Sequence, residues 1–195
     1  MSSPQASTLS FSCAFGVKDL PALPAFGEVR SLAAADWEDY WMSGGAVDFS
    51  ACSDQRAKEL ERRVVLSRYL MRVNCSGELP PQETGLTYNS WFGKMHLEMH
   101  WWHGVHFALW QNEEILEKQM HFYRDIEERA RELAAMQGYD GLRWPKMIGP
   151  EGLTSPSNVG NYLIWQQPHF IYFAELLYQS SADQEKILSA FGDLV

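Results

Sequence analysis

A chain of 195 residues, 46% hydrophobic and 13% aromatic, is long enough for one ordinary domain with a sizeable core, which excludes wholesale disorder. A formal charge of -9 argues against nucleic acid or an anionic membrane as partner, since both want a basic surface, and suits a neutral substrate. Cys13, Cys52 and Cys75 are odd in number, widely spaced and form no CxxC pair, so neither a disulfide framework nor a zinc knuckle is expected, and no apolar run is long enough for a membrane span.

In chain order, residues 1–35 read as a disordered or linker-like segment. No Lys or Arg precedes Lys18, and the stretch from Leu9 to Val17 is short and broken by Ser and Gly, so no signal peptide is expected and the compartment stays open. LPALPAF, residues 20–26, is a Pro-punctuated connector. Asp36 then caps a short helix stopped by Gly44 and Gly45. Ser53 or Asp54 opens a long helix ending at Gly77, with Leu60, Val64, Leu66, Leu70 and Met71 on an amphipathic face. Pro80 and Pro81 forbid its continuation, and PPQETGLTYNSWFG is a polar loop.

The segment from Trp91 to Trp110 follows, with four of the six histidines and four of the eight tryptophans. Aromatic and titratable groups lie on every side of it, whereas a surface helix needs only one apolar stripe, so it is expected to be buried all round. Flat aromatics beside imidazoles and a carboxylate suit the faces and hydroxyls of a sugar. Asn112 begins an amphipathic helix to Gly138, acidic in its first turn, with Arg129 and Arg131 near its end as the helix dipole prefers. A second long loop, residues 138–160, leads to a helix starting around 161–167, and Asp183 caps a last one. That last helix reaches Val195 with apolar residues still arriving, which suggests a truncated chain or an association that supplies the missing surface.

No segment alternates apolar and polar residues over a strand's length, so the class is all-α. Loops of this length are unusual in a helical stack unless they build a site. If the helices alternate direction, both long loops fall at one end. Gln82, Glu83 and Asn89 in the first loop offer donors and acceptors for hydroxyls, and Trp91 and Trp144 offer stacking faces. Gln166, Gln167 and His169 precede an aromatic helix and line the same cleft, with Lys94 and Lys146 as neighbouring cations. The structural alternative for each is loop capping or core packing.

His96, His100 and His103 stand at i, i+4 and i+7, a spacing that can bind zinc from one helix face. The metalloprotease signature needs Glu directly after the first His, however, and Glu98 is two residues on, about 200° round a straight helix. No metal or other cofactor is therefore expected, and histidines hydrogen-bonded inside the wall of the fold are the simpler reading.

PPQETGLTYNSWFGKMHLEMHWWH, GYDGLRWPKM and LIWQQPHFIYFAEL together resemble the catalytic (α/α)6 barrel of the six-hairpin glycosidases, and more distantly the inverting α-fucosidases and the maltose and trehalose phosphorylases. The resemblance runs from about Trp37 to Val195. A full barrel has about twelve helices, so it implies an incomplete (α/α)6 toroid, about the first half, over residues 36–195. It makes Glu98 the general acid and His96 a sugar-binding neighbour, and places the second catalytic carboxylate on a later hairpin that this chain lacks. Desolvation by Trp101 and Trp102 would raise the Glu98 pKa toward that of an acid, while a helix N-terminus would oppose the rise. As a structural alternative Glu98 pairs with Lys94 or Arg143, and Glu83 is then the next candidate acid.

The implied activity is inverting hydrolysis of a glycosidic bond, with an oligosaccharide or glycoside as partner and self-association through unpaired barrel surface. A non-catalytic fragment or carbohydrate-binding module is the alternative from another class, and a His-rich metal-dependent hydrolase is a third.

Overall fold

The computed structural model describes residues 7–9, 11–15, 22–85, 88 and 90–195. Among them run seven α-helices and one short antiparallel strand pair: α1 Phe26–Ser43, α2 Ala57–Cys75, β1 Met95–His96, α3 Leu97–Leu109, α4 Glu113–Asp125, α5 Glu127–Met136, β2 Met147–Ile148, α6 His169–Ser180 and α7 Gln184–Phe191. The class is all-α. No described helix is long and apolar enough to cross a membrane.

Contacts divide the chain into Met1–Gly44 and Gly45–Val195. The first unit holds α1, which begins at Phe26 rather than at Asp36, so the expected linker is helical over its last residues. Beyond Pro24 nothing forbids a helix, and the Ala33–Ala35 run favours one. Trp37, Tyr40 and Trp41 pack ring on ring along it, and Gly44 closes it as the sequence implies.

In the second unit α3, α4 and α6 pack on one another and α7 packs on α6. Residues Ile115, Leu116, Gln119, Met120, Phe122 and Tyr123 of α4 are buried, the spacing of a 3.6-residue period. Gly104 makes the α3–α4 crossing close: a Cβ there would meet Leu116 Cδ1 at 3.0 Å and His100 Nε2 at 3.3 Å. The single helix expected from Asn112 to Gly138 is two. It bends at Ile126, although the bonds Ile126 N to Phe122 O and Ala130 N to Ile126 O carry on through the bend. The second loop lies against this bend, where Gly152, at φ 79°, leaves no room for a Cβ beside Ile126 Cγ2.

Two further expectations change. On α2 the buried residues are Arg68 and Cys75, whereas Leu60, Leu66 and Leu70 are exposed, so the amphipathic stripe read from the sequence is not a core face within the described chain. On α7 the reverse holds. Asp183 caps it by accepting from Lys186 N at 3.0 Å, and Ile187, Phe191 and Leu194 are buried while Leu188 and Val195 are exposed, so part of the apolar run near Val195 has partners.

Phe170 on α6 is fully buried among Tyr123, Trp144 and Phe191, with ring centroids 5.1, 5.8 and 6.1 Å away. Phe170→Ala removes those contacts and leaves a cavity, at a cost of about 3–5 kcal/mol. Urea melts should show that loss as a lower midpoint. A midpoint within error of the parent would mean the α4–α6–α7 packing is not what holds this unit together.

Candidate active site

The two long loops meet at β1. Met95 and His96 pair with Ile148 and Met147, Gln82 bridges Met95 on the other side, and Ile148 bridges Thr154. His96 N donates to Pro81 O at 3.2 Å and Glu98 N donates to Lys146 O at 3.3 Å. These backbone bonds carry Glu83, His96, Glu98 and Lys146 to one place at the N-terminus of α3.

His96 is on β1, with φ -128° and ψ 88°, not on the helix. The helical-wheel argument that set Glu98 far from it therefore fails. Its Nε2 lies 3.8 Å from Glu98 Oε2 and equally 3.8 Å from Glu83 Oε2. Two carboxylates thus flank one imidazole nitrogen, and their Oε2 atoms are at most twice that distance apart. The second carboxylate, expected only from a later hairpin, has a candidate here in Glu83.

The two carboxylates differ in environment. Glu98 forms an ion pair with Lys146, Nζ to Oε2 3.2 Å, rather than with Lys94 or Arg143. Burial pushes the Glu83 carboxyl above the usual carboxylate range, with Lys146 opposing the shift and the Glu98 charge adding to it. His96 is pressed down to about 4, chiefly by burial and then by Lys146 and His103, so it is neutral near pH 7. Glu83 Oε2 and both His96 ring nitrogens are buried without a hydrogen-bond partner among the described residues. Each such atom costs about 1–3 kcal/mol.

Trp91 roofs the cluster, its ring 4.7 Å from Lys146 Nζ and 6.5 Å from the His96 ring. Trp91 and Phe92 have φ of 50° and 62°, a left-handed turn that bulky side chains rarely adopt and that costs on the order of 1 kcal/mol or more per residue. Lys94, half-buried, lies over the Phe92 ring at 5.3 Å and forms no ion pair with Glu98 among the described residues. His103 holds the first loop in place: Glu83 O accepts from its Nε2 at 3.0 Å. That tautomer leaves Nδ1 a bare acceptor, and it too has no partner.

No family model, no curated protein and no solved structure matches this chain.

Several residues expected to touch a ligand serve the framework instead. Trp144 is buried, its ring edge-on to Tyr123 at 5.0 Å, so it offers no open stacking face. Gln167 clamps its backbone, accepting from Trp144 N at 2.9 Å and donating to Trp144 O at 2.6 Å, and Gln166 donates to the same carbonyl and to Leu163 O. Gln82 donates to Gly85 O. Arg143 ties Gln137, Asn161 and Leu163 together. Asn89 lies outside the described residues.

His100 also belongs to the framework. Gln119 Nε2 donates to the carbonyls of Cys75 and Gly77, so Gln119 Oε1 must accept from His100 Nε2 (2.8 Å), and His100 Nδ1 accepts from the Tyr123 hydroxyl (2.9 Å). Every hydrogen-bonding atom of this imidazole is satisfied, which fits a structural role. Among the described residues no group of three or more His, Cys, Asp or Glu is arranged to hold a metal ion.

Sequence reasoning missed Trp165 and Tyr172. They pack near Trp101 and Trp102, which stand three and four residues after Glu98 and so on its side of α3. That spacing was the available signal.

Proposed function

We propose that the second unit is a glycoside hydrolase-like domain whose acid–base pair is Glu83 and Glu98. The observation that carries this is the pair of carboxylates, each 3.8 Å from one nitrogen of a neutral, buried imidazole whose ring nitrogens both lack a hydrogen-bond partner among the described residues. Hydrolysis of a glycosidic bond asks for one protonated and one ionised carboxyl group. Burial favours a proton on Glu83, and the Lys146 ammonium lies 3.2 Å from Glu98 Oε2.

This assigns the roles the other way round from the reading that made Glu98 the acid. Glu83 gives its proton to the leaving oxygen while Glu98 takes one from the attacking water, which is inversion. If Glu98 instead attacks the anomeric carbon, the outcome is retention. The spacing limit admits both the roughly 6.5–9.5 Å of inverting pairs and the roughly 5–5.5 Å of retaining ones. His96 and His103 offer unpaired nitrogens to sugar hydroxyls, and Trp91 offers a ring face. We read the helices of this unit as hairpins of an (α/α)6 toroid, supported by the gathering of both long loops at one end of α3.

The test is turnover of p-nitrophenyl monoglycosides and of matching oligosaccharides by the full chain, with the anomer of the first-formed product read by proton NMR. Turnover that disappears in the Glu83→Gln, Glu98→Gln double variant supports the reading. Absence of turnover across the panel, or turnover that survives the double variant, overturns it.

A further inference from the structure

Trp101, Trp102, Trp165, Pro168, His169 and Tyr172 bound a pocket of about 430 Å³. Small-molecule sites run from about 300 to 1,000 Å³. Its walls are mostly ring faces. Trp102 and Trp165 meet edge to face at 5.3 Å, Trp101 and Tyr172 lie 4.7 Å apart, and the His169 ring is 5.2 Å from Trp165 and 5.4 Å from Trp101. Trp102 and Trp165 are nevertheless 52% and 40% exposed. Large rings held in place by their neighbours yet open to water form a platform for something that covers one face only.

The pocket lies about one helical turn along α3 from Glu98 of the carboxylate site. Glu98, Trp101 and Trp102 share one side of α3. His169 joins the two: Leu97 O accepts from its Nδ1 at 3.3 Å, its ring forms a pocket wall, and it feels the Glu98 charge.

We infer that this pocket is a subsite for a further pyranose ring of the glycoside whose bond lies between Glu83 and Glu98. The inference rests on the hydrolase reading above. A pyranose has an apolar C–H face to lay on a tryptophan and a rim of hydroxyls that stays in water, which matches aromatic walls on a half-open pocket. A wholly apolar small ligand would be served better by a site that encloses most of its surface.

The experiment titrates the full chain with malto-, cello-, xylo- and mannohexaose, following tryptophan fluorescence and calorimetric heat, and repeats this for Trp102→Ala and Trp165→Ala. Both rings are exposed, as is Tyr172, so their removal spares the core, and urea melts check that both variants fold. Each substitution is expected to weaken binding of the preferred hexaose by about three- to tenfold through the lost ring face. Turnover of the p-nitrophenyl monoglycoside, which carries a single sugar ring, is measured alongside and reports on the hydrolase reading separately. Unchanged hexaose affinity in both variants overturns the subsite even if monoglycosides are cleaved. No hexaose binding by the parent chain also overturns it, as does a change of oligomeric state in the variants in place of a change in sugar affinity, which would mark the pocket as a protein contact. Weakened binding in the variants with no cleavage of any substrate supports the subsite and removes the catalytic reading.

Discussion

Glu83→Gln is expected to slow hydrolysis of an unactivated oligosaccharide by about 10²–10⁴-fold, the usual contribution of a positioned general acid. Gln keeps the size of the side chain and loses the proton. A p-nitrophenyl glycoside needs little protonation of its leaving group, so the same variant should retain most of its rate on that substrate. Glu98→Gln should instead slow both substrates by similar factors, because attack on the anomeric carbon depends on its charge in either case. Lys146→Met removes the cation that opposes the raised Glu83 carboxyl, so the limb of the pH–rate profile that reports the acid should move up. Steady-state rates on the two substrate classes decide the assignment. If Glu83→Gln harms activated and unactivated substrates equally while Glu98→Gln spares the activated one, Glu98 is the acid after all.

Steep loss of stability in mild acid is the second expectation. Burial, the leading cause in each case, lowers His96 and His106 to about 4 and His100 to about 3, from an ordinary 6.5, and also lowers His103 and His169. Folded-state values below the unfolded value mean that the unfolded chain takes up protons first. Stability is therefore complete above about pH 6.5 and falls as the pH drops toward 4, with His100 extending the loss toward 3. Each group contributes about 1.4 kcal/mol per pH unit inside its window, so His96, His100 and His106 together remove about 4 kcal/mol per unit near pH 5. Against a total of about 5–15 kcal/mol, the second unit should unfold between about pH 6 and 4. The raised Glu83 acts in the opposite sense, but as a single group. Urea midpoints at pH 7, 6 and 5 should fall steeply, and His106→Gln should lessen the fall near pH 5 by about a third. A midpoint that holds from pH 7 to 5 would contradict the burial of these imidazoles.

Much of the helical layout is legible in the sequence. The Gly44–Gly45 stop, the Asp183 cap and the 3.6-residue period of Ile115, Leu116, Gln119 and Met120 are local signals, set by dihedral preference and one-sided burial. Errors arose where a tertiary contact overrides a local one. Ile126 bends a segment whose composition is continuously helical, because the loop around Gly152 packs on it. His96 leaves the helix that its neighbours Leu97 and Glu98 begin, because β1 pairs with β2 fifty residues on. The α2 stripe follows an amphipathic period, and periodicity does not say whether another surface comes to meet it.

The candidate site divides along the same line. By itself the sequence determined the all-α class, the two polar loops and the residue types available for chemistry: two carboxylates, several histidines, a lysine and many tryptophans. Only the tertiary structure decided which of them meet. It set Glu83 and Glu98 each 3.8 Å from His96 Nε2, gave Lys146 rather than Lys94 or Arg143 to Glu98, buried Trp144 in the core and left Trp102 and Trp165 half open. The reason is range. Helix propensity and capping act over a few residues along the chain, whereas an ion pair or a shifted pKa depends on atoms a few ångströms apart in space, and these come from residues separated by as many as 69 positions in sequence.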